Sequence, residues 1–183
     1  MTRAPRADLV GDLHHVFARG SARQPIFGDD LDRRRYLALL ARSTRRVGWS
    51  CLSYCLMSNH LHLLIETPVP NLSRGMHLLH GGYAQAFNRR YRTSGHLFQG
   101  RFRAVPVTTD DQLLTVVQYI ARNPQEAGLC TDPEDWPWSS HASILRGDSP
   151  VWLDVSRLFE YFAAYGGEPR ERYAELLKGA RPL

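Results

Sequence analysis

Lysine is all but missing from this chain. Of its 23 basic residues, Lys178 is the one lysine and 22 are arginines. Cysteine and methionine are scarce as well, at three each. Cys51, Cys55 and Cys130 are odd in number and lack framework spacing, which excludes a disulfide scaffold and suits a reducing cytoplasm. Cys51 and Cys55, four apart, would share a strand face and read as buried thiols. No stretch approaches the roughly 18 continuous apolar residues of a membrane span. No apolar run follows the first arginines, so no signal peptide is expected. The 183 residues, 43% hydrophobic and 22% charged, exclude bulk disorder and suit one domain.

What the chain does have is positive charge, concentrated in its first part. Residues 1–103 carry 16 arginines against six acids, a net of +10; residues 104–183 carry seven basic and 12 acidic residues, a net of −5. A polyanionic partner fits the first part, because the forked guanidinium matches phosphate geometry. A compositional bias toward arginine accounts for the lysine deficit equally well, but not for the asymmetry.

Hydrophobic pattern and punctuation give an element order of βαββαβα. Strands are predicted over His14–Arg19, Trp49–Met57, His60–Glu66 and Leu97–Val107, the middle two joined by a Ser58-Asn59 turn. Helices are predicted over Asp29–Arg46, from an Asn71 cap to about Tyr91, and over Asp110–Arg122 behind a Thr109 cap. Each of the first two opens or closes with charge that suits the helix dipole. Pro124 is expected to stop the third. Short helices follow near 154–165 and 168–179. The fold class is α+β, with one sheet and helices mainly on one face. Residues 1–13 read as a flexible N-terminus, 14–130 as the core and 131–183 as a C-terminal extension packed on it.

Two pairs carry the chemistry. His60 and His62 stand at i and i+2 on a strand, so both imidazoles face one way while Leu61 and Leu63 pack the other. Taken alone, such a pair is more often ordinary core or surface histidine than a metal site. Tyr119 and Asn123 stand at i and i+4 on a helix, hence on one face. Alone, such a tyrosine is core and such an asparagine a cap. Together the four make a workable nuclease site. A divalent cation on His60, His62 and Asn123 would polarise a scissile phosphate. Tyr119 would attack it as a covalent nucleophile. Mg²⁺ prefers oxygen donors, and Mn²⁺ tolerates imidazole better. Arg19, Arg23, Arg89, Arg90, Arg101 and Arg103 are candidates for DNA contact, with Arg101 and Arg103 favoured because they would share a strand face. His77, His80, His96 and His141 read as structural or surface.

At this point the chain resembles a family. Asn59-His60-Leu61-His62-Leu63-Leu64 resembles the histidine–hydrophobe–histidine motif of the HUH single-tyrosine transposases. Further likeness runs through His15-Val16, Arg19-Gly20, Arg23–Phe27, Gly95–Phe102, Tyr119–Pro124 and Ala127–Leu129. Trp136-Pro137-Trp138-Ser139-Ser140 resembles an element seen mostly in the REP-associated branch, the family's bacterial chromosomal relatives. The resemblance implies a ferredoxin-like (RRM-like) antiparallel sheet, with the tyrosine helix over the histidine strand and a C-terminal helical extension. It implies Mg²⁺- or Mn²⁺-dependent cleavage and rejoining of single-stranded or hairpin DNA through a 5′-phosphotyrosine, in a cytoplasmic, nucleoid-associated protein. One nucleophile handles one strand at a time, so the protein works as a homodimer or as a monomer in sequential turns. Many members carry a histidine where this chain has Ala121.

Two other readings stand beside this one. A non-catalytic hairpin-DNA binder on the same sheet has no need of all four residues. A metalloprotein of unrelated chemistry leaves the Tyr119–Asn123 pair and the arginines without a purpose.

Overall fold

The computed structural model of the chain describes residues 12–179. Strand β1 (Asp12–Arg19) leads through a tight turn at Ser21–Arg23 into helix α1 (Asp30–Val47). Strands β2 (Ser50–Leu56) and β3 (His60–Thr67) form the hairpin, and α2 (Leu72–Tyr91), β4 (Arg103–Val107) and α3 (Asp110–Glu126) follow. Three shorter helices close the chain: α4 (His141–Arg146), α5 (Val155–Ala163) and α6 (Pro169–Leu177).

The strands form one antiparallel sheet in the order β2-β3-β1-β4, the ferredoxin-like arrangement that the resemblance implies. The register places His62 opposite Phe17 and His60 opposite Arg19, and Phe17 opposite Arg103. Side chains facing each other across antiparallel strands share a sheet face. His15, Phe17, His60, His62 and Arg103 therefore stand on one side. Val16, Ala18, Leu61, Leu63 and Ile65 stand on the other and are buried. Helices α1 and α2 pack on each other as the expected helical layer, with Tyr36, Leu40, Met76, Leu79 and Tyr83 in the core. Helix α3 packs across β2, β3 and β4, on the histidine side.

Local chemistry explains the element ends, and it corrects some expectations. Asp29 caps α1 through Asp32 N–H, and Thr109 caps α3 through Gln112 N–H, as predicted for Thr109. Asn71 precedes α2 but makes no side-chain cap bond. Its amide instead accepts from Trp49 Nε1 at 2.6 Å and donates to the Val47 carbonyl at 2.8 Å, tying the ends of α1 and α2 together. The strand expected over 97–107 is real only from Arg103 on. Phe98 makes a single bridge to Gly20, and the intervening turn wraps around the end of β1. Helix α3 does not stop at Pro124 but runs to Glu126. A proline so near a helix C-terminus costs few hydrogen bonds, and the Asn123 carbonyl still accepts from Ala127 N–H at 3.0 Å. The segment expected to be loose, 1–13, lies outside the described residues except for Asp12 and Leu13, which belong to β1.

An exposed strand edge invites wrong pairing, so folds cover it. Here the Trp136–Ser140 segment covers β2. Leu56 N–H donates to the Trp138 carbonyl at 2.9 Å, Ser140 N–H to the Tyr54 carbonyl at 3.0 Å and Tyr54 N–H to Ser140 Oγ at 3.0 Å. Arg33 of α1 lies over the rings of Phe27, Trp136 and Trp138, with its Cζ 5.5–5.9 Å from each centroid. Cys51 and Cys55 are buried free thiols, and burial raises the pKa of both. Among the described residues, no helix is long and apolar enough to cross a membrane.

Candidate active site

Strand alternation puts His60 and His62 on one face, with ring centroids 5.1 Å apart and planes 88° to each other. Helix α3 lays its Tyr119–Asn123 face over them. Asn123 is buried, and its Oδ1 lies 3.2 Å from His60 Nε2. Tyr119 is 40% exposed; its ring stands perpendicular to His62, 5.1 Å between centroids. The structure thus gathers the two pairs that sequence spacing picked out.

It also adds a residue that sequence reasoning left out. His15 of β1 stacks on His62, and its Nε2 lies 3.0 Å from His62 Nδ1. Burial drives the titration of all three imidazoles downward, because the charged form loses its water. The pKa of His62 falls to about 2 and that of His15 to about 4; nearby His15, His60 and Arg19 add to the shift at His62. His60 is lowered as well, mainly by burial. At neutral pH the cluster is therefore uncharged, the state in which imidazole binds metal.

A cation fits these residues. His62 Nε2 is buried with no hydrogen-bond partner, a costly condition for a polar atom unless something coordinates it. With His60 Nε2 and Asn123 Oδ1 it offers two neutral nitrogens and one amide oxygen. Among the described residues, no three His, Cys, Asp or Glu side chains gather as a metal-binding group, and the Asn123 amide oxygen is the further protein donor beside the two histidines. Beside the histidines opens a cavity of about 570 Å³, lined also by Tyr119, Phe17, Phe102, Arg19, Arg101 and Arg103.

Residues 12–123 match the sequence profile of a family described as transposase, IS200-like. The chain belongs to that family. The HUH tyrosine transposase suggested by His60-Leu61-His62 is thus the enzyme class of this protein. A solved structure of a REP-associated tyrosine transposase bound to a REP hairpin is similar in fold, with a TM-score of 0.66 and 18% identity over 85% of this chain and 93% of that one. A putative transposase from Deinococcus radiodurans R1 shares 17% identity over 65% of this chain and 95% of its own, at a TM-score of 0.46. No curated protein matches.

The arginines of the transposase divide into groups. Arg19, Arg101 and Arg103 are exposed at the cavity, on the histidine face. Arg101 reaches it from the turn before β4, not from the strand expected to carry it. Arg23 and Arg89 are exposed but do not line the cavity. Arg90 does not line the cavity and is ion-paired within the chain. Its guanidinium holds Asp29 and Asp32, at 2.5 and 2.7 Å, joining α2 to the start of α1. His80 and His141, read as structural or surface, are structural: His80 stacks on Phe98 and pairs with Tyr36, and His141 pairs with Tyr173.

Proposed function

We propose that this transposase cleaves and rejoins single-stranded DNA at hairpin-bearing sites, with Tyr119 as the nucleophile. The observation that carries the reading is the placement of a solvent-accessible tyrosine beside an uncharged histidine cluster, in which buried His62 has an unpaired Nε2, at a cavity edged by three arginines. The hairpin preference draws support from the similar structure, which is a complex with a REP hairpin.

Tyr119 Oη forms a bond to phosphorus as the bond from phosphorus to the 3′-oxygen breaks. The phenolic proton passes to solvent, and the 3′-oxygen leaves as a hydroxyl. The products are a 5′-phosphotyrosine and a free 3′-end. Attack of a 3′-hydroxyl on the tyrosyl ester reverses the step, so strand transfer needs no external energy source. His60, His62 and Asn123 would hold a Mg²⁺ or Mn²⁺ ion, which, when bound, supplies Lewis-acid stabilisation of the charge on the phosphate oxygens. Arg19, Arg101 and Arg103 hold the backbone phosphates, and half-buried Phe17 offers a ring on which an unpaired base can stack. With one nucleophilic tyrosine per chain, two cleavages take either two copies of the chain or two turns of one.

The test is a labelled hairpin oligonucleotide with Mn²⁺, followed by denaturing gel electrophoresis. Wild type is expected to form an SDS-resistant adduct that EDTA and Tyr119→Phe both abolish. Hairpin binding with no adduct from wild type would replace this reading by the non-catalytic binder.

A further inference from the structure

We infer that Asn59 and His15 are positioning residues that hold His60 and His62 in one tautomer, with hydrogen on Nδ1 and the lone pair on Nε2. The inference rests on the metal-ligand reading above and names the groups that prepare the ligands. An imidazole coordinates only through a nitrogen that carries no hydrogen, and the partner of its other nitrogen decides which one that is.

For His60 the assignment follows from a chain of obligate roles. The Arg23 carbonyl can only accept. Asn59 Nδ2 lies 3.0 Å from it and so is the donor. That fixes the amide: Asn59 Oδ1 points at His60 Nδ1, 2.8 Å away. An oxygen acceptor there requires the hydrogen on Nδ1. The lone pair of neutral His60 is then on Nε2, the atom that faces Asn123 Oδ1 at 3.2 Å. Two lone pairs directed at each other repel, and a cation beside both relieves that repulsion.

The Arg23 carbonyl is delivered by a turn with little freedom. Ala22 and Arg23 both have left-handed backbones, at φ 49° and 61°. A Cβ on Gly20 would lie 2.1 Å from the Gln24 carbonyl oxygen, so only glycine lets the turn close. Gly20 N–H donates to the Asn59 carbonyl and Ile26 N–H to that of Ser58, clamping the same turn to the start of β3.

For His62 the partner is a second imidazole. His15 Nε2 lies 3.0 Å from His62 Nδ1, and one of the two must donate. If His15 donated, His62 would carry its hydrogen on Nε2, buried with nothing to receive it. Donation from His62 Nδ1–H to His15 Nε2 leaves a lone pair on His62 Nε2 instead. Asn59 and His15 thus act from opposite sides of the pair, one through a backbone carbonyl and one across the β1–β3 ladder.

The experiment reads tautomers directly. Metal-free protein labelled with ¹⁵N-histidine is studied by long-range ¹H–¹⁵N correlation, and Mn²⁺ affinity is measured separately by calorimetry. Wild type is expected to show the Nδ1–H form at both His60 and His62. Asn59→Leu should move His60, and His15→Phe should move His62, to mixed or Nε2–H forms. Each should weaken Mn²⁺ binding by roughly 10–100-fold. Asn59→Asp, which keeps the acceptor but loses the bond to the Arg23 carbonyl, should recover part of that loss, and His15→Gln most of it. An Nε2–H form at either histidine in wild type overturns the proposal, and this readout needs no variant to fold. So do unchanged tautomers and Mn²⁺ affinity in both Asn59→Leu and His15→Phe. Wild type that binds no Mn²⁺ overturns the metal-ligand reading instead, and the metal-free spectra still decide the tautomers.

Discussion

Asn123 Oδ1 stands 3.2 Å from His60 Nε2 although 63 residues of chain separate them. A helix and a strand meet there at the two atoms a cation would bridge. Replacing the amide by Asn123→Leu keeps the volume and removes the donor, so Mn²⁺ affinity should fall about tenfold or more. Asn123→Asp supplies an anionic oxygen at the same place and should bind the ion more tightly. Calorimetric titration checks both, and wild-type affinity in Asn123→Leu would remove Asn123 from the ligand set.

The cavity arginines and Arg90 should behave differently. Each phosphate contact on a single strand contributes about 0.7 to the slope of log affinity against log salt. Losing Arg101 and Arg103 together, as Arg101→Ala/Arg103→Ala, should flatten that slope by about 1.4 with little change in stability. Arg90→Ala should leave the slope alone and lower stability, because buried Asp32 loses its charged partner and keeps only Tyr91 Oη and Gly28 N–H. Fluorescence anisotropy across a salt series, with urea unfolding of the same proteins, separates the two. Equal loss of DNA affinity in both variants would refute the division.

His141 makes stability depend on pH. It is buried against Tyr173, and burial lowers its pKa from 6.5 to about 4. Below pH 6.5 the unfolded chain takes up a proton that the folded chain refuses. The contribution is thus complete above pH 6.5 and is lost as pH falls toward 4, at about 1.4 kcal/mol per pH unit. Urea unfolding at half-unit steps from pH 7 to 4.5 should give a shallower decline for His141→Gln than for wild type. Parallel curves would mean that His141 takes no part.

Much of the site was legible because its pairs are local. His60 with His62 follows from strand alternation, and Tyr119 with Asn123 from the helical repeat; neither needs knowledge of the rest of the chain. His15 was not legible as a partner. Its place on the histidine face depends on the register of β1 against β3, set by contacts about 50 residues apart in sequence. Asn59 looked like a turn residue for the same reason, since its task is defined by a carbonyl 36 residues away. Arg90 looked like a free cation until folding placed Asp29 and Asp32 beside it.

The sequence by itself determined the order of elements, the two chemical pairs and the polarity that sets an arginine-rich first part against an acidic remainder. These rest on periodicity, on capping residues and on composition, all of which act over a few positions. Tertiary structure alone decided which arginines reach the cavity, that α3 continues past Pro124, and which side of each histidine is held. Those outcomes depend on register and on donors and acceptors brought together from distant parts of the chain, where one obligate acceptor, the Arg23 carbonyl, fixes the amide that fixes an imidazole.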